Sequence, residues 1–170
     1  MIEGCEEGPL SATLSPAMTF QASDPDFAVR VRKSFARQGF MRSLGAELAA
    51  VEPGFCEIRL PFREDLGQQH GLFHAGTLGA IADSAGGYAA YTLMGGGDSV
   101  LSVEYKLNLL APGRGELAIA RARVVRPGRT LTVCQVEVFV VNDTAETLCA
   151  LMQQTVIRMA DRPDVPPAVQ

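Results

Sequence analysis

Both histidines of the chain and a single carboxylate fall in one stretch, Leu66 to Gly97, that contains no Lys or Arg. The histidines are His70 and His74, and the carboxylate is Asp83. A carboxylate set among Ala, Gly and Leu is either held by hydrogen bonds or stationed for chemistry, because burying an uncompensated charge is costly. With an imidazole nearby, that chemistry would be proton transfer or nucleophilic attack. Apolar and small residues predict one long helix over Ala75 to Met94. Leu78, Ile81, Ala82, Ala85, Ala89 and Thr92 follow helical spacing on one side, while Gly79, Asp83, Gly86 and Gly87 share another. Asp83 is therefore expected in a lane nearly free of side chains, which is room for a ligand or for another protein surface.

The remaining elements must position this helix. Residues 1 to 22 read as a flexible leader, with Met18 as an alternative start. Ser23-Asp24-Pro25 signals a helix start. Phe27, Ala28, Val31 and Phe35 give that helix an apolar side as far as about Gln38, with Gly39 as its stop. Leu44–Val51 and Phe55–Phe62, divided by Glu52-Pro53-Gly54, predict a hairpin. A loop from Arg63 to about Phe73 leads into the central helix. Gly95-Gly96-Gly97 is expected to close that helix in the left-handed conformation.

Four strands follow, at Val100–Leu110, Glu116–Val125, Leu131–Val141 and Leu148–Met159, expected as a meander. Alternation puts Leu101, Val103, Tyr105, Leu107 and Leu109 on one face of the first. Ser102, Glu104, Lys106 and Asn108 then fall on its other face. Small Ala118, Ala120 and Ala122 share a face of the second strand, where a helix could approach closely. The predicted class is α+β, a curved antiparallel sheet wrapped around a long central helix. One domain spans 23–160, with a Pro-rich tail over 161–170.

Composition narrows the partners. A chain of 170 residues with net charge −4 is one globular domain and a poor match to nucleic acid. Its four cysteines are scattered without metal-ligand or disulfide spacing, so reduced thiols and a cytoplasmic location are expected, with no metal. No basic region followed by an apolar run opens the chain, and the central helix is too rich in Gly and Ala, with Asp83 at its centre, to read as a membrane span. The triple glycine follows a helix rather than preceding one, which argues against a phosphate loop.

Gln68, His74-Ala75-Gly76-Thr77-Leu78 and Ala82-Asp83-Ser84-Ala85 together resemble the signature of the hotdog-fold acyl-CoA thioesterases, in their PaaI-like branch. Ser102-Val103-Glu104, Ala111-Pro112-Gly113 and Arg126-Pro127-Gly128-Arg129-Thr130 extend the likeness over roughly residues 43 to 159. The resemblance implies hydrolysis of acyl-CoA to free acid and coenzyme A, with no cofactor beyond the substrate. It implies Asp83 as the catalytic acidic residue, Gln68 as the amide upstream of His74, Ala75 as donor of the N–H that polarises the carbonyl, and Ser102 as the strand hydroxyl. Where the family has His-Gly-Gly, this chain has His74-Ala75-Gly76. A backbone N–H survives that change, but the added methyl narrows the approach of the acyl group.

Free N–H groups at a helix start carry positive partial charge, so Ala75 and Gly76 are expected to face an oxyanion. Asp83 would activate water or attack directly. The two ends lie eight residues apart on one helix, about 12 Å along its axis, too far for one carbonyl to touch both. A homodimer with sites shared between copies follows, possibly doubled into a dimer of dimers. Gly76, Gly79 and Gly87 would border the substrate, and Arg126 and Arg129 would meet the phosphates of coenzyme A. Each assignment has a plain alternative: Asp83 braced against the sheet, His74 capping its helix, Gln68 bridging its loop, Ser102 simply exposed, and the arginines solvated. A hydratase or dehydratase of the same fold, or an acyl-CoA binding module, are the competing functions.

Overall fold

The computed structural model describes residues 19–165. Most of the expected leader, with Cys5 and Met18, and the last five residues of the tail lie outside the described residues. Three helices, α1 (Phe27–Arg37), α2 (Gly39–Leu44) and α3 (Ala75–Tyr91), accompany six strands. The strands are β1 (Glu47–Glu52), β2 (Phe55–Pro61), β3 (Ser99–Leu109), β4 (Leu117–Arg126), β5 (Leu131–Asn142) and β6 (Ala145–Met159). They form one antiparallel sheet in the order β1-β2-β4-β5-β6-β3.

That order corrects the simple four-strand meander. Only β4-β5-β6 run as one, and β3 crosses to the far edge to pair with β6. Alternation reports that a strand exists, while its neighbour depends on which edge the chain reaches after α3.

The helix α3 packs against β2, β3, β4, β5 and β6. Its Leu78, Ile81, Ala82, Ala85 and Ala89 are buried against Ile58, Leu60, Val136, Val138 and Met152 of the concave face. Each Leu, Ile, Val or Met side chain so enclosed contributes about 1.5–3 kcal/mol, and each alanine methyl less than about 1 kcal/mol. Ala118, Ala120 and Ala122 are all fully buried, as their shared face required. Among the described residues no helix is long and apolar enough to cross a membrane.

Helix ends differ from the sequence reading in three places. Gly39 begins a second helix rather than stopping the first; the break is the extended Gln38, and the left-handed stop is Gly45 at φ 76°. Leu44 therefore ends α2 instead of opening a strand. None of Gly95, Gly96 and Gly97 takes a positive φ. At that end of α3 the Arg30 guanidinium donates to the carbonyls of Tyr91 (3.3 Å) and Met94 (2.7 Å). A cation at a helix C-terminus satisfies the carbonyls that a glycine cap would otherwise leave to its neighbours.

The edge strand β3 also departs from alternation. Ser102 pairs with Val156 and Glu104 with Thr155, so Val103 is the extra residue of a β-bulge. The bulge switches faces. Ser102 shares the concave side with Tyr105, Leu107 and Leu109, whose cross-strand partners include the buried Gln154, Met152 and Ala150. Glu104 pairs with the residue between and turns outward.

Candidate active site

Asp83 projects from the middle of α3 towards β3 and β6. Ser102 Oγ donates to Asp83 Oδ1 at 2.6 Å. Gln154 Nε2 donates to the same oxygen at 2.6 Å, to the Asp83 carbonyl at 3.1 Å and to Ser102 Oγ at 3.0 Å. Both side-chain donors thus converge on one carboxylate oxygen. Gln154 itself is fully buried, and its Oε1 has no partner among the described residues. An acceptor left in that state costs about 1–3 kcal/mol.

Beside the carboxylate lies a hollow of about 110 Å³, bordered by Ser84, Gly87, Tyr88, Ser34 and Gln38. Ser84 Oγ donates to Gln38 Oε1 at 3.3 Å, and the Tyr88 and Ser34 hydroxyls lie 3.0 Å apart. Burial pushes the Tyr88 phenol up to about 12, so it is neutral at ordinary pH.

A second hollow of about 330 Å³ opens at the start of the same helix, bordered by Gln68, His74, Ala75, Leu78, Leu109 and Pro112. His74 is the N-cap of α3, and its Nδ1 accepts the N–H of Gly76 at 2.9 Å. That bond makes Nδ1 the acceptor nitrogen and so places the ring N–H on Nε2. The N–H groups of Thr77 and Leu78 bond the His74 carbonyl. Of these first-turn N–H groups only that of Ala75 is left unclaimed by the described residues. The expected pair of donors is therefore a single one, with Gly76 allowing the ring to approach: a Cβ there would lie 3.0 Å from Nδ1. Gln68 borders the hollow, and its Oε1 accepts the N–H of His70 at 2.6 Å, bracing the loop.

The two hollows share no bordering residue, so one copy of the chain groups Asp83 with Ser102 and, separately, Gln68 with His74 and Ala75. The glycine lane is divided as well. At Gly87 a Cβ would meet nothing within 4 Å, whereas at Gly79 it would touch Leu107, and at Gly86 it would collide with Gln154 Oε1. Only Gly87 opens onto the hollow. Arg126 and Arg129 are exposed at the β4–β5 turn and border neither hollow. His70 is exposed on its loop. Tyr91 is buried, donating to the Asp98 carbonyl at 3.2 Å. Cys56, Cys134 and Cys149 are buried free thiols, and burial raises all three above the ordinary thiol range.

Gln154, Ser34 and Gln38 were not singled out by the sequence. For Gln154 a signal existed: it is the polar member of an apolar alternation with Ala150, Met152 and Val156. Ser34 lies in α1 and Gln38 in the break between α1 and α2, and the docking of that segment onto α3 is a tertiary event.

Residues 70–147 match the model of the Thioesterase superfamily. The chain is 44% identical to a thioesterase family protein from Silicibacter pomeroyi whose crystal structure superposes with a TM-score of 0.77, over 78% of this chain and 98% of that one. It is 31% identical over 129 residues to a protein of Halobacterium salinarum provisionally named an esterase, covering 72% of this chain and 85% of the relative. The fold is also that of the E. coli PaaI protein from the phenylacetic acid degradation operon, at 20% identity and a TM-score of 0.72 over 81% of this chain and 96% of that one. The matched span contains His74, Asp83 and Ser102, and the helix-wrapped sheet is shared, so the chain is a hotdog-fold member of the thioesterase superfamily.

Proposed function

We propose that the protein hydrolyses acyl-CoA thioesters to free acid and coenzyme A, at two equivalent sites each built from two copies of the chain. The observation that carries this reading is the pairing, on one helix, of an unclaimed N–H at Ala75 with an oriented carboxylate at Asp83. These are the two groups that thioester hydrolysis needs, held about 12 Å apart.

The edge strand supports the sharing. Leu101, Val103, Tyr105 and Leu109 of β3 are each more than half exposed, an apolar edge of the kind that second copies cover. Antiparallel pairing of two such edges about a twofold between Tyr105 and Lys106 would set Ser102 opposite the partner's Leu109. The carboxylate hollow of one copy would then face the donor hollow of the other.

In such a site water attacks the thioester carbonyl carbon as its proton passes to Asp83. The oxyanion is held by the Ala75 N–H. Collapse expels the thiolate, which takes the proton from Asp83. In the covalent variant an Asp83 oxygen attacks the carbonyl carbon and the C–S bond breaks, releasing the thiolate as the anhydride forms; water then hydrolyses the anhydride to the free acid and the Asp83 carboxylate, and the remaining proton goes to the thiolate. Gln68 and the Nε2–H of His74 orient water and carbonyl, and Ser102 steadies the carboxylate. The acyl group enters beside Gly87; Gly76 and Gly79, expected to border it, face the His74 ring and Leu107 instead. Arg126 and Arg129, outside any salt bridge among the described residues, are assigned to the phosphates of coenzyme A. No cofactor is required beyond the coenzyme A of the substrate.

Thiol release from short, medium, long and aromatic acyl-CoAs, with Asp83→Asn as control, tests the reading. Turnover is expected in the parent and should fall at least about 100-fold in the variant. Unchanged turnover in Asp83→Asn would sink it. Hydration of an enoyl-CoA without thiol release would favour a hydratase, and tight binding with neither reaction a binding module.

A further inference from the structure

We infer that Gln154 is the positioning residue of this site: its buried amide fixes the Asp83 side chain and, by donating to Oδ1, leaves Oδ2 as the reacting oxygen. The inference rests on the thioesterase reading for what Oδ2 attacks or deprotonates, but not for the positioning itself. Gln154 lies beyond the 70–147 span that matches the family model.

Three observations carry it. First, the Gln154 amide is fully buried on the concave face, between Met152 and Val156, where an apolar side chain would be the ordinary occupant. Second, every hydrogen bond of that amide goes to Asp83 or Ser102, so it has no other polar group to satisfy. The amide is also held in one sense, since a flipped amide would point Oε1 at the carboxylate oxygen now 2.6 Å from Nε2. Third, the helix is cut away to admit it. A methyl group on Gly86 would run into Gln154 Oε1 and lie 3.2 Å from Val136 Cγ2. The stranded Oε1 is the cost of aiming both N–H groups at the site.

Gripping the Asp83 backbone carbonyl together with Oδ1 locks the side-chain torsions, and Ser102, which both accepts from Gln154 and donates to Oδ1, closes a three-membered network. Few other charged groups face the carboxylate. From α3 comes the Tyr88 phenol and from the C-terminal segment Asp164, itself paired with Arg37 at 2.8 Å. The helix α1 contributes Ser34, with Gln38 just beyond its end, and β3 contributes Val100 and Ser102, all neutral; Glu104 is turned outward, where Thr155 Oγ1 donates to it at 3.4 Å.

The test compares the parent with Gln154→Met, which keeps an unbranched chain without donors, and Gly86→Ala, which keeps the amide but displaces it. Three-bond couplings that report the Asp83 χ1 torsion, assigned with Asp83→Asn, are measured alongside kcat and KM for thiol release. In both variants the couplings should move from single-rotamer values towards rotamer-averaged ones. At neutral pH kcat should fall about 10- to 100-fold with little change in KM. A merely structural glutamine would lower the melting temperature and leave both the couplings and kcat at their parental values, and that result in folded variants overturns the inference. If Gln154→Met does not fold, Gly86→Ala decides alone. Should the parent release no thiol from any acyl-CoA while the Asp83 couplings still move in the variants, the thioesterase reading fails and the positioning role stands.

Discussion

The first turn of α3 distributes its N–H groups unevenly, and that unevenness can be tested one residue at a time. Ala75 occupies the first helical position, where proline is tolerated because its missing N–H has no helical partner. His74 already has the extended backbone that a following proline demands, at φ −66° and ψ 139°. Ala75→Pro should therefore fold with near-parental stability while deleting the proposed oxyanion donor. The expected loss is about 100- to 1,000-fold in kcat, read by thiol release beside a thermal melt. Gly87 gives the complementary case. Nothing lies within 4 Å of the space its Cβ would take. Gly87→Ala should gain roughly 0.5–1 kcal/mol by helix propensity. Gly87→Leu should fill the hollow beside Asp83 and cut kcat/KM about tenfold or more for bulky acyl groups, with the melting temperature preserved. Equal activity of the Leu variant on every acyl chain length would place the acyl group elsewhere.

Among the elements, the two ends of β3 show what local sequence can and cannot disclose. Alternation identified the strand but assigned Ser102 to the wrong face, because a bulge at Val103 leaves no mark in an apolar/polar pattern. The long helix and the alanine face of β4 were legible, since both are set by packing against each other. The pairing of β3 with β6, the short α2 and the glutamine under Asp83 were not, because each depends on contacts distant in sequence. The turn from α3 into β3 belongs to the same class. Asp98 is buried there, its Oδ2 accepting the Gly95 N–H at 2.9 Å and lying 2.7 Å from Arg158 Nε, while Oδ1 accepts the Asp161 N–H at 3.3 Å. Burial alone would raise its pKa, but Arg158 and the two N–H groups outweigh that and hold the carboxyl below its ordinary value. A lowered folded-state pKa gives stability that is present above the unfolded value, about 4, and lost as pH falls through the folded one. Asp98→Asn should cost about 1–3 kcal/mol at pH ~7 and flatten the acid side of the stability curve. Denaturant midpoints measured across that range check it, and a curve parallel to the parental one would remove Asp98 from the account.

For the whole molecule the consequence of two separated hollows is stoichiometric. If each working site takes Asp83 from one copy and Ala75 from the other, then Asp83→Asn and Ala75→Pro damage different halves of every site. Either variant alone gives dimers with no intact site. Unfolded and refolded together in equal amounts, they give about half mixed dimers, and each mixed dimer holds one site with both parental halves and one with both damaged halves. Thiol release should then recover from near zero to about a quarter of the parental rate, whereas the separately refolded variants, mixed just before assay, should stay inactive until subunits exchange. Sites contained within one copy predict no recovery at any mixing ratio, because every copy would carry a lesion in its own site. The same experiment run with Tyr105→Arg in both variants asks whether β3 is the seam. A charged side chain on each side of the proposed twofold should abolish both the recovery and the dimer seen by sedimentation. Recovery that persists with that substitution would leave the shared site standing but move the interface off β3.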